Sequence, residues 1–140
     1  MVRAALAGMA AAAAWAGAEP LGQRVFGTPY SDVRLLGALT PAGAAWRQAG
    51  TAVHVVNGAL FGVVFGRLGG DGWVQGLVAA QLENLALWPV MAVMDRMHPD
   101  RRSGAWPPLF RSKRVLAYEV TMHALFGIVL GTLLSHRRRT

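Results

Sequence analysis

Four stretches of this 140-residue chain, 4–22, 48–68, 73–94 and 115–134, are apolar over nearly the length a helix needs to cross a bilayer. An α-helix rises 1.5 Å per residue, so about 20 residues cover a hydrocarbon core roughly 30 Å thick. The other spanning solution, a closed β-barrel, needs alternating segments of about 10 residues, and that alternation is missing. The expectation is an all-α polytopic membrane protein: one membrane domain, 1–140, with four transmembrane helices. Composition agrees. Apolar residues make up 54% and charged residues 15%, against about 45–50% and about 25% in an ordinary soluble domain.

The connections differ in kind. Only Gly-Gly-Asp-Gly, 69–72, separates the second and third segments. Glycines there permit positive φ, which predicts a tight turn and an antiparallel helical hairpin. The connection 20–47 mixes turn residues with an amphipathic middle, and Val25, Phe26, Leu35 and Leu36 are expected in the acyl boundary. The connection 95–114 is basic and broken by proline, with Asp-Arg-Met-His-Pro at 95–99 as a polar cap and His98 as an interfacial residue. The first segment carries one early arginine, Arg3, and Ala-Gly-Ala before Glu19, which also suits a cleaved secretory signal. A retained helix is the preferred reading, because it completes the pairing of segments.

Thirteen arginines and one lysine face seven carboxylates, for a net charge of +7. The bases lie mostly between or after apolar segments. Attraction of the basic loop and the His-Arg-Arg-Arg-Thr tail to anionic lipid headgroups accounts for them. No nucleic-acid-reading motif accompanies the charge, so no nucleic-acid partner is expected. The two longer connections hold nine of the fourteen bases, which favours those loops on the cytoplasmic side, although the basic tail at 137–139 competes. Cysteine is absent, which removes disulfides, thiolate metal sites and cysteine nucleophiles.

A phrase is written twice. Residues 59–68 read ALFGVVFGRL and residues 124–133 read ALFGIVLGTL, with seven of ten positions identical. At this offset of 65 the second and fourth segments come into register. Gly50, His54, Gly58, Gly62 and Gly66 recur every four residues in one, and Glu119, His123, Gly127 and Gly131 in the other. Residues four apart share a helix ridge, and small residues on a ridge let helix backbones approach closely, the GxxxG mode. The repeat predicts two tandem helical hairpins whose second and fourth helices close through helix-packing residues Gly58, Gly62, Gly66, Gly127 and Gly131. Such a seam also suits a second copy of the chain or another membrane protein.

Polar residues interrupt the apolar segments at His54, Asn57, Glu83, Asn84, Glu119 and His123. A charged residue at a helix centre costs about 2.5–3.5 kcal/mol on insertion scales, so these residues are expected to face protein or water. Glu119 and His123, spaced i, i+4, are placed to meet. Pro89 is expected to bend the third segment just after Glu83. Carboxylate and imidazole together suit interhelical hydrogen bonding, proton or ion passage, or metal and haem ligation.

The pattern His54-x-x-Asn57-Gly58-x-x-Phe61-Gly62, then Glu83, Asp-Arg-Met-His-Pro and His123-x-x-Phe126-Gly127, resembles a group of small, functionally uncharacterised four-span bacterial integral membrane proteins. The resemblance covers roughly residues 50–131. It implies a multi-pass protein of the plasma membrane and brings no assigned catalytic residue and no cofactor. The leading expectation is therefore a structural or partner-binding role in the bilayer, with no catalytic residue assigned. The alternatives are a small carrier or channel component for protons, ions or solutes, and a metal- or haem-binding membrane protein, for which the metal ligands are left open.

Overall fold

A computed structural model describes residues 1–135, and the basic tail at 137–139 lies outside them. Helices follow one another without any strand among these residues: α1 Val2–Phe26, α2 Asp32–Gly37, α3 Trp46–Arg67, α4 Trp73–Leu87, α5 Val90–Met97, α6 Pro99–Arg102 and α7 Lys113–Leu134.

Two helices are apolar and long enough to cross a membrane: α3 with its leading 3-10 turn (Gly43–Arg67), and α7. The α4–α5 pair, bent by 50°, adds a third as a broken span. The bend falls at Trp88 and Pro89, where a prolyl nitrogen cannot continue the hydrogen-bond ladder. Despite its 25 residues, α1 is not in this set. Alanine gives it length but modest hydropathy, and Arg3, Glu19, Gln23 and Arg24 interrupt it. Val53, Val56, Leu60 and Val64 on α3, like Val74, Val78, Leu82 and Leu85 on α4, are exposed. Contiguous apolar faces of this extent suit lipid rather than water.

The glycine ridges determine which helices pair. Cβ atoms at Gly58 and Gly62 would run into the backbone of Gly8 and Ala4 on α1, so α3 lies directly on α1. Cβ atoms at Gly127 and Gly131 would meet the backbone of Gly76 and Gly72, so α7 lies directly on α4. Gly66 is looser, with its imaginary Cβ 3.1 Å from the Ala4 methyl. The third extensive seam joins α1 to α7. Two expectations are thereby corrected. The second and fourth segments do not close on each other, because each ridge has its own partner. Nor do α3 and α4 pack as a hairpin, although the connection between them is tight, with Gly69 and Gly72 at φ 76° and 83°. The spatial order is α3, α1, α7, α4, which leaves a gap between α3 and α4.

The connection after α1 also differs from expectation. Val25 and Phe26 belong to α1, which runs through Pro20 and ends on the left-handed Gly27. Phe26 packs edge-on against Tyr118, 6.4 Å between ring centroids. Leu35 and Leu36 lie on α2 and turn toward the interior cavity described below, rather than to the acyl boundary. The buried Glu19 carboxylate positions α2 by accepting from Ser31 Oγ (2.6 Å), Asp32 N (2.8 Å) and Val33 N (3.3 Å).

The Asp-Arg-Met-His-Pro segment holds the far connection. Asp95 accepts from Arg101 Nε (2.8 Å), Leu109 N (2.6 Å) and Phe110 N (3.0 Å). His98 is fully buried, not interfacial, because its ring stacks on Trp106 at 4.4 Å and Nδ1 accepts from Asp100 N. Arg34 donates to both carboxylate oxygens of Asp100, at 2.6 and 2.9 Å, and lies over the Trp46 ring. Those hydrogen bonds, with the charges of Arg34 and His98, hold the Asp100 carboxyl below the usual carboxylate range. The contribution of the pair, about 1 kcal/mol for a partly exposed contact, is therefore fully present above pH ~3.9 and lost as pH falls through the depressed value. An acid titration followed by tryptophan fluorescence is expected to show a step below pH ~4, and Asp100→Asn to abolish it.

Candidate functional site: a polar-floored cavity between the helix pairs

The gap between α3 and α4 holds a cavity of about 300 Å³. All six polar residues singled out in the apolar segments line it: His54 and Asn57 from α3, Glu83 and Asn84 from α4, Glu119 and His123 from α7. The helix pairing explains the convergence. On α4, Gly76, Ala80 and Asn84 form the buried ridge that meets α7, and Glu83 stands beside it toward the cavity. On α7, Glu119 and His123 sit about two turns and one turn before Gly127 on the same ridge. On α3, His54 and Gly58 do likewise.

Glu119 is 2% exposed. His123 Nδ1 lies 2.8 Å from the Glu119 backbone carbonyl and 3.3 Å from its Oε2. A carbonyl oxygen can only accept, so Nδ1 carries the proton. A neutral His123 thus keeps its lone pair on Nε2, away from its own helix. Tyr30 and Tyr118 stand edge-on at 5.6 Å near the acidic end. The hydroxyl of Tyr30 adjoins both Asp32 and Glu119 and donates to Asp32 Oδ1 at 2.8 Å. Burial, reinforced by the neighbouring Glu119 and Glu19 charges, pushes the Asp32 carboxyl well above its ordinary value.

Two cavity residues escape a reading of the sequence. Asp32 enters from α2, and Trp15 enters from the alanine-rich α1. The indole of Trp15 makes edge contacts with His54 (5.2 Å), His123 (4.7 Å) and Phe126 (6.5 Å). It is the one large aromatic inside a run of alanines, a usable signal, since such a helix has little else to fill an interior. Ser31 before Asp32, the N-cap of α2, is the other signal.

Three buried polar atoms on the lining have no hydrogen-bond partner: Trp15 Nε1, His54 Nε2 and Glu119 Oε1. Leaving a buried polar group unsatisfied costs about 1–3 kcal/mol. Metal ligation is not favoured, because no group of three potential ligands is arranged to hold an ion among the described residues. Axial haem ligation by His54 and His123 is not favoured either, because Trp15 is packed against both imidazoles.

Comparison with protein families, curated proteins and solved structures finds no match to this chain.

Proposed function

We propose that this chain is a small multi-pass protein of the plasma membrane that admits a small solute or ion to an intramembrane cavity, as a carrier or channel component. In this reading α1, α3, the bent α4–α5 pair and α7 are four spans, built as two tandem units in which glycine ridges hold α1 to α3 and α4 to α7. Anionic headgroups neutralise the basic connections. His54, Asn57, Glu83, Asn84, Glu119 and His123 supply the polar lining.

What supports the reading is the convergence of those six side chains, from three helices, on one cavity with unpaired polar atoms. Intramembrane ionisable residues are costly, and they typically face a water-filled cavity or pathway rather than lipid.

Purified protein in proteoliposomes is expected to pass protons or a small cation down an imposed gradient. Glu119→Gln should cut the flux by about tenfold or more, the equivalent of one charged hydrogen bond. Wild-type flux no faster than in protein-free liposomes would refute the reading. The structural or partner-binding role, which the glycine crossings favour, would then stand in its place.

A further inference from the structure

We propose that the cavity between α3 and α4 is a binding site for a small lipophilic organic cation, an amine or quaternary ammonium. Its charge would sit against Glu119, and its apolar body among Phe61, Met91 and Phe126. This rests on the reading of the cavity as a solute site and adds the class of solute.

Charge comes first. Three carboxylates line the cavity, Asp32, Glu83 and Glu119, and no lysine or arginine does. Glu19 adds a fourth acid close behind Asp32, bonded to its backbone nitrogen. An anion would find no lysine or arginine to pair with, and any of these carboxyls that ionises would repel it in a low-dielectric interior. A bare inorganic cation would want six or more oxygen ligands for calcium, or a compact set of nitrogen and oxygen donors for transition metals. No such grouping exists among the described residues.

Glu119 is the specific anchor. It is 2% exposed, its Oε2 faces His123, and its Oε1 has no partner. The Tyr30 hydroxyl beside it donates to Asp32. A buried carboxylate oxygen lacking a donor fits an ammonium N–H, or the polarised methyl groups of a quaternary nitrogen.

The rest of the lining selects an organic body. Leucines, methionines, Phe61, Phe126, Trp88 and Trp15 make up most of the wall. Aromatic faces beside carboxylates are the usual setting for ammonium recognition, because ring quadrupoles attract a cation that is weakly hydrated. A volume of about 300 Å³ is at the small end of ligand pockets, so the body is small. A hydroxyl or carbonyl oxygen on the same ligand would also satisfy the indole N–H of Trp15. Asn57, Leu39, Leu87 and Val90 of the lining are exposed, so the site is reachable from outside.

The test uses the whole chain in lipid nanodiscs and radiolabelled benzyltrimethylammonium, with empty nanodiscs subtracted. Saturable binding is expected, weakened about tenfold or more by Glu119→Gln. Two competitors of similar size separate charge from size: uncharged neopentylbenzene and anionic phenylmethanesulfonate, neither of which should displace the cation at equal concentration. Displacement by either, or an undiminished affinity in Glu119→Gln, would overturn the cation assignment while leaving a solute cavity in place. No saturable binding of the labelled cation, together with no flux in proteoliposomes, would overturn both. Should Glu119→Gln fail to elute as a single folded species, Glu83→Gln removes a charge from the same cavity and is expected to weaken binding in the same direction.

Discussion

Replacing Gly127 by isoleucine is expected to unseat α7 from α4 and leave little folded protein. A Cβ at this position would already collide with the backbone of Gly76 and approach Leu77 Cα to 2.8 Å. Backbone cannot rotate away as a side chain can, so the helices themselves must part. Extra methylenes in a well-packed interior cost about 1–3 kcal/mol, and isoleucine adds four carbons at a point with no space for one. The cost should exceed that range and consume much of a marginal stability of about 5–15 kcal/mol. Thermal unfolding in detergent, with size-exclusion profiles, measures it. Gly66→Ala is the internal control, because its Cβ would lie 3.1 Å from a single methyl group. It should shift the midpoint only slightly. Equal behaviour of Gly127→Ile and wild type would refute the crossing.

Trp15→Ala should be the second large effect. The indole is 3% exposed and touches α3 through His54 and α7 through His123 and Phe126. No other side chain of α1 bridges both neighbours with aromatic contacts, since its remaining buried apolar residues are alanines. Truncating a buried tryptophan costs about 3–5 kcal/mol, and here the void would merge with the existing cavity. Trp15→Phe separates packing from polarity. It keeps most of the contact area and removes an N–H that has no partner, so its stability should stay within about 1 kcal/mol of wild type. If Trp15→Ala unfolded no more readily than Trp15→Phe, the bridging role would be wrong.

Much of the helical layout is legible in the residues. The apolar segment at 48–68 became Trp46–Arg67, the one at 115–134 became Lys113–Leu134, and the break in the third fell at Pro89. These are local matters, dictated by hydropathy, by the missing prolyl N–H and by glycines at positive φ. The Glu119–His123 contact was equally local, four residues apart on one helix. What periodicity does not carry is the identity of the opposing surface. A ridge of glycines says that something comes close; it does not say whether Gly62 meets Gly127 or Ala4. The answer depended on small residues in α1, where alanine is so frequent that Gly8 and Ala4 do not stand out. For the same reason Trp15 and Asp32 were missed as cavity residues: one sits in a helix of weak hydropathy, the other on a six-residue helix whose placement hangs on Glu19.

The gap between α3 and α4 is fastened at both ends, and the two fastenings differ in kind. At one end the chain itself is a leash: five residues, 68–72, join the helices, and at about 3.3–3.6 Å each they reach no further than about 18 Å. At the other end Arg34, on the helix lying against α3, clasps Asp100, on the helix following α5. The first fastening cannot release and the second can. Between them the α1–α7 seam is the shared spine of the two glycine-locked pairs. Any widening of the gap must therefore turn about that spine, stay narrow at the leash, and open as a wedge toward the clasp.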